Sequence, residues 1–275
     1  MMGTRSLMVI KTYDSVGALI DAKVHKVNEG HSSAKRNFGE PGDWSPLKWL
    51  GCESIKQVQQ FTEHGWKDGR QKAHKALNDI GDVQGAQSIR KRRRFGESGD
   101  ELDIQKVYSG SLDKAWQYSR REHAASFGVN IVKILCDISA LCDVSAEKMF
   151  WRGAVASILA DKLEDAGYRA EIVAFSHTSG TYTDNSGCYI EVMVKQPDEY
   201  LDLDRVICAT ALSGFMRYYI FKSKLSDSKK ADGGLGRPKN EPYKASENDI
   251  AITNIWDVNS AQNFLEKTIG NFNGN

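Results

Sequence analysis

The sequence predicts an α/β domain of three layers from about Gly99 to the C terminus, built on a mixed, mostly parallel sheet, with a helical extension before it. Three observations predict this class. Val129 to Cys136 (VNIVKILC) is almost continuously apolar and β-branched, as a central strand covered on both faces requires. Trp151, Val155, Ile158, Leu159, Leu163 and Ala166 then recur at spacings of three and four, the stripe of a helix that packs on a sheet. Arg169 to Phe175 (RAEIVAF) is a second apolar run only a short turn later. Strand, helix and strand in that order make a βαβ crossover, which joins parallel strands in a right-handed sense.

The elements follow in chain order. Ser15 to Val27 reads as a helix after the apolar Leu7 to Ile10, and Gly30, Gly39, Pro41 and Gly42 then mark a loop. Two helices are expected within Ser54 to His64 and from Trp66 to about Ile80, broken at Gly65. The extension thus covers residues 1–98, ends in a basic linker, and gives way to an α/β domain over 99–275. Leu102 to Tyr108 is expected as a short strand and Leu112 to Arg121 as a helix. Ser145 suits the N-cap of the central helix, Glu147 its dipole, and Gly167 its end.

His177 to Gly187 (HTSGTYTDNSG) reads as a polar loop. Cys188 to Lys195 reads as an edge strand, with Tyr189, Glu191, Met193 and Lys195 wet and Ile190, Val192 and Val194 buried. Asp202 to Leu212 is a helix, and Gly214 to Phe221 is either a strand or a buried helix end. Ser223 to Asn248 is a long polar loop. Asp249 to Ile255 closes the sheet, Asn259 to Ile269 covers it, and the tail from Gly270 is expected to fray.

With 37 Lys and Arg against 36 Asp and Glu, the net charge of +1 neither requires nor forbids a polyanionic partner, so local clustering decides. Arg90, Lys91, Arg92, Arg93 and Arg94 are the densest cluster, followed at once by Glu97, Asp100, Glu101 and Asp103. Such a run is either a solvated or internally paired linker or a contact for nucleic-acid phosphates. No run of about 18 apolar residues occurs and the first residues lack a secretory signal, so a cytoplasmic protein without a membrane partner is expected. The five cysteines are odd in number and form no CxxC pair, which points to reduced, mostly buried thiols.

Motifs for chemistry are sparse. The six histidines show no HExxH spacing, no phosphate-cradling glycine loop follows a strand, and no Ser or Cys has a base and orienter in view. The six tryptophans, spread over the chain, read as core before stacking platforms. The most suggestive segment is Cys136-Asp137-Ile138-Ser139-Ala140-Leu141-Cys142-Asp143, at the carboxyl end of the first βαβ strand, where open α/β sheets hold ligands.

The strand, Asp137-Ile138-Ser139, long helix and strand of Val129 to Phe175 resemble a von Willebrand factor A-type domain, closest to the cobalt-chelatase-like versions. The resemblance implies a Rossmann-like sheet and a loop reading Asp-x-Ser-x-Ser that holds a divalent cation. Asp137 and Ser139 would ligate Mg²⁺ through hard oxygens, but Leu141 stands at the second Ser position. A later Thr from Thr178, Thr181 or Thr183, and Asp249 or Asp257, would complete such a set. The chain also resembles uncharacterised proteins of tailed bacteriophages on three features: a Trp-rich N-terminal region, Gly99-Asp100-Glu101-Leu102-Asp103 and Phe150-Trp151-Arg152-Gly153. That likeness implies host cytoplasm or virion.

The resulting expectation is a non-enzymatic interaction or assembly module that engages a protein partner through Asp137, Ser139, Asp143, Thr178 and Thr181. The alternative is a nucleic-acid-binding protein using Arg90 to Arg94. A further alternative is a metal-dependent nuclease, for which Asp137, Asp143, Glu171, Asp202 and Asp204 would have to converge.

Overall fold

The structure, a computed structural model, describes residues 8–22, 46–77, 80–83, 90–96, 101–102, 107, 115–122, 130–179, 187–226, 235, 237–242 and 244–273. In chain order they form β1 (Val9–Tyr13), α1 (Val16–Asp21), α2 (Pro46–Leu50), α3 (Ile55–His64), α4 (Lys67–Leu77), β2 (Arg90–Gly96), β3 (Glu101–Leu102) and β4 (Trp116–Glu122). Then come β5 (Ile131–Asp137), α5 (Ala146–Asp165), β6 (Arg169–Ser179), β7 (Cys188–Lys195), α6 (Leu203–Ala211) and α7 (Ser213–Phe215). A π-helical turn (Met216–Ile220) leads into α8 (Phe221–Leu225), and β8 (Arg237–Pro238), β9 (Ile250–Ile252) and α9 (Val258–Asn273) follow.

The main sheet has the order β1-β7-β6-β5-β9, with β8 paired to the far end of β6. β5 pairs in parallel with β6, from Ile131↔Arg169 to Asp137↔Phe175, and with β9. β1 and β7 are also parallel, while β6 and β7 run antiparallel. The fold is therefore α/β on a mixed sheet of mostly parallel strands, with the expected β5-α5-β6 unit at its centre.

The N-terminal segment is more than a neighbour of this sheet. β1 is one of its edge strands, in register from Val9↔Cys188 to Tyr13↔Val192. Leu19, Trp49, Leu50, Val58, Ala73 and Leu77 belong to the same apolar cluster as the central strands, so among the described residues one core spans both sides of 98/99. β7 accordingly lies inside the sheet between β6 and β1, not at an edge. Its expected wet face is partly buried: Tyr189 stacks on Phe175 with centroids 5.9 Å apart. Lys195, 2% exposed, is compensated by Glu164 at 2.7 Å and by the Ala170 carbonyl at 2.8 Å.

All the described helices contribute to one cluster, which packs on the sheet face carrying Ile134, Cys136, Ile172, Ala174, Ile190 and Val192. The opposite face bears a smaller cluster of Leu135, Val173, Phe175 and Tyr189, to which no described helix contributes. Three layers were expected; among the described residues the helices form one. α5 is buried nearly all round, from Met149 to Ala160, as a helix enclosed by a sheet and other helices must be. Ser145 caps it through Lys148 N–H, and Gly167 follows its end. α3 and α4 meet at Gly65, whose φ of 87° suits only glycine, and a Cβ there would lie 2.5 Å from Asp204 Cβ.

Three further segments depart from expectation. Residues 116–122 form a strand, not a helix, since Trp116 and Tyr118 alternate with Gln117 and Ser119 and pair with β2. Gly214 to Phe221, open between strand and buried helix end, takes the helical alternative and carries the π turn. α9 continues past Gly270 because Phe272 packs on Tyr168, centroids 5.3 Å apart, and Asn273 bonds the Asp82 carbonyl at 3.1 Å. Arg90 to Arg94, expected as a linker, is strand β2. Much of the expected loops at 23–45, 180–186 and 227–234 lies outside the described residues.

α5 and α6 cross so closely that a Cβ on Gly153 would sit 2.3 Å from the Ala211 nitrogen. Gly153→Ala should therefore destabilise by about 1–3 kcal/mol, read as a lower urea midpoint at unchanged slope.

Candidate functional site

Asp137 ends β5, and Ile138 N–H continues the ladder to the Phe175 carbonyl at 2.9 Å, so the chain turns out of the sheet at Ser139. The carboxylate has no exposed surface. Its Oδ1 accepts Ser139 N–H at 2.8 Å and the Ser139 hydroxyl, and its Oδ2 accepts Arg152 Nη1 at 2.6 Å. Arg152, itself fully buried on α5, also donates to the Ser139 carbonyl at 2.7 Å and stacks over Trp256 at 4.4 Å. Burial lifts the Asp137 carboxyl pKa above the ordinary aspartate value, while Arg152 and the Ser139 bonds pull against that lift.

A second buried arginine holds the other half of the loop. Arg217, on the π turn, lies 3.5 Å over the Trp49 ring and donates to the Trp49 carbonyl. It also donates to the carbonyls of Val144 at 2.6 Å and Leu141 at 3.5 Å. Burial lowers its pKa from the ordinary guanidinium value to about 9, against the opposing pull of Cys142 and Asp143. The loop is thus tied down at both ends, and only its tip reaches solvent: Leu141 is 49% exposed, and Cys142 and Asp143 are also exposed. The other four cysteines are buried.

Of the residues expected at this surface, Asp143 is accessible. Asp137, Ser139 and Thr178 are buried, with Thr178 Oγ1 donating to the Cys188 carbonyl at 3.3 Å. Thr181 and Thr183 lie outside the described residues. The Asp137 set does not fit a divalent cation, because both carboxylate oxygens are engaged and a guanidinium stands beside Oδ2. Leu141 offers no oxygen. Among the described residues no three His, Cys, Asp or Glu side chains gather as metal ligands. The carboxylates considered for hydrolysis are engaged separately: Glu171 with Lys133 at 3.2 Å, Asp204 with Arg70 at 2.7 Å, and Asp202 as the cap of α6.

Arg152 and Arg217 were missed as site residues. A signal was present: each is a lone cation in an apolar stretch, Met149 to Ala160 and Phe215 to Phe221, and long charged side chains are almost never fully buried unless paired. The cleft of about 430 Å³ at the opposite edge of the sheet had no sequence signal. Two of its acids have local tasks, Asp202 as a cap and Glu199 as acceptor of Gln196 N–H at 2.8 Å.

The basic run is the second candidate surface. β2 pairs antiparallel with β4 from Arg90↔Glu122 to Gly96↔Trp116, which sets Lys91 opposite Arg121 and Arg92 opposite Arg120. Among the described residues β3 pairs with β4 at Gln117 and Trp116. The three strands together hold seven cations against two carboxylates, Glu101 and Glu122.

A family model described as Domain of unknown function (DUF7192) matches residues 5–273. The chain belongs to that family. The DUF7192 match takes in β1, the basic strands and the main sheet together, so the family unit contains both candidate surfaces. No curated protein and no solved structure matches the chain.

In this DUF7192 protein, Arg152→Met leaves Asp137 buried without its cation, and a loss of about 3–5 kcal/mol is expected at neutral pH. The sign of its pH dependence follows from linkage. A carboxyl with a raised folded pKa binds its proton better folded than unfolded, so its contribution is greatest below the unfolded pKa and is lost as pH rises through the folded one. Removing Arg152 raises that folded value further. The deficit of the variant against wild type should therefore shrink as pH falls from 7 toward 5, measured by urea unfolding at each pH.

Proposed function

We propose that the protein binds nucleic acid through the ribbon of β2 and β4. One observation carries the reading: two cations of the Arg90 to Arg94 run pair across the sheet with further cations, at Arg92↔Arg120 and Lys91↔Arg121, and only Arg90 pairs with a carboxylate, Glu122. Like charges directly opposite one another destabilise a sheet. A polyanion turns that repulsion into attraction, since each phosphate neutralised also releases condensed counterions. The near-neutral total of +1 makes the asymmetry local, on one small sheet. Binding of mixed-sequence nucleic acid should weaken steeply with salt. Replacing Arg90 to Arg94 by Ala should make the log–log slope shallower by about 0.9 for each duplex phosphate that is no longer neutralised. An unchanged slope in that variant would sink the reading.

A second reading keeps the von Willebrand A-type expectation of a non-enzymatic contact at the sheet edge, narrowed to the loop tip. Its support is that Leu141, apolar and 49% exposed, is presented beside Asp143 on a backbone fixed by Arg152 and Arg217. Such a fixed surface loses little conformational entropy on binding. Leu141→Arg should leave the unfolding free energy within about 0.5 kcal/mol of wild type, as exposed substitutions usually do. Pull-down with this variant should recover fewer partners than wild type, and an unchanged partner list counts against the reading.

A further inference from the structure

We infer that the cleft beside β1 and β7 binds a small organic cation with an apolar body, of the alkyl-diamine class. The inference goes beyond the nucleic-acid reading and does not rest on it. Place in the fold is the first reason. β1 and β7 are parallel, while β7 runs antiparallel to β6 and β5 runs parallel to β6. The carboxyl ends of β1 and β7 therefore lie at the end of the sheet opposite Asp137. Open α/β sheets hold ligands in crevices outside the carboxyl ends of their strands. At the Asp137 end the buried Arg152 pair fills that position. At the other end Asp14, directly after β1, and Val194 and Lys195, the last residues of β7, line the cleft of about 430 Å³.

The second reason is size and lining. Pockets for small molecules run from about 300 to 1,000 Å³, and this one falls at the small end. Val206 and Phe215, both buried, give it an apolar wall that suits methylene groups. Charge is the third reason. The two cations in the lining are already engaged, Lys195 with Glu164 at 2.7 Å and Arg205 with Asp202 at 3.4 Å. Three more carboxylates remain, on Asp14, Glu63 and Glu199. Asp14 meets no cation among the described residues, and Glu63 has only His64, at 3.8 Å. Glu199 spends one oxygen on Gln196 N–H at 2.8 Å and keeps the other. An anion would be repelled here, whereas a chain with an ammonium at each end meets carboxylates and an apolar wall together. Tyr200 is the fourth reason. It lines the cleft beside Glu199 with 86% of its surface in water, and an aromatic face so placed attracts an ammonium.

The test is isothermal titration calorimetry on the full chain with 1,6-diaminohexane as probe, and with 1,6-hexanediol and adipate as its neutral and anionic matches in length. The diamine should bind saturably, one per chain, and the diol and adipate should not. Asp14→Asn/Glu199→Gln, in which the amide oxygen still accepts Gln196 N–H, should weaken the diamine about tenfold. Glu247→Gln/Glu266→Gln makes the same change in net charge outside the cleft lining and should leave its affinity unchanged. Tyr200→Ala should weaken it about two- to fivefold and Tyr200→Phe should keep it. Each comparison is made on variants whose urea midpoints match wild type, so that lost binding is not lost folding. No saturable binding of the diamine, equal binding of the diol, or tighter binding of adipate overturns the site. So does an equal loss in the Glu247 and Glu266 pair, or wild-type affinity in Tyr200→Ala. None of these outcomes bears on the basic strands, whose salt-slope test stands apart.

Discussion

Asp137 closes the central strand with no surface in water, and an ionised carboxylate so placed costs several kcal/mol unless a partner and hydrogen bonds compensate it. Arg152 is that partner, and it arrives from the helix that covers the strand. The pair therefore welds three things at once: the end of β5, the first turns of α5 and the backbone at Ser139. Trp256, just after β9, lies over the guanidinium and brings the far edge of the sheet into the same cluster. Register between strand and helix is specified here by one ion pair, where apolar packing alone would tolerate sliding.

The same pair explains what could be read from the chain and what could not. Val129 to Cys136, the Ser145 cap and Arg169 to Phe175 gave the βαβ unit because their signals are local: apolar runs, a capping hydroxyl, a short turn. The motif at Asp137 and Ser139 was legible as a position, but its chemistry depended on a residue a helical turn or more into α5, whose role no spacing announces. Lys195 misled for a related reason. Its alternation with Val194 reads as solvent exposure, yet Glu164, at the end of a different element, makes burial tolerable.

The basic strands were the least legible part. Arg90 to Arg94 contains no β-branched residue, and its strand state arises from pairing with Arg120 and its neighbours, which are distant in sequence. Local propensity cannot see such a partner. Sequence did show a cation run; only pairing shows that two of its members, Lys91 and Arg92, stand opposite further cations. Of the carboxylates that suggested internal neutralisation, Glu101 falls in β3 opposite Gln117, at the end away from Arg92, and Glu97, Asp100 and Asp103 lie outside the described residues.

β1 has a consequence in time. Val9 pairs with Cys188, so the first strand leaves the ribosome long before its only described neighbour has been translated. At about 5–20 residues per second the wait is on the order of ten seconds or more. Through that interval a largely apolar strand has a free edge on both sides, the state in which chains pair with the wrong partner. Lys11 and Thr12, set between Val9-Ile10 and Tyr13, temper its stickiness. The joining of β1 to this sheet is a late event of synthesis, set by the arrival of β7.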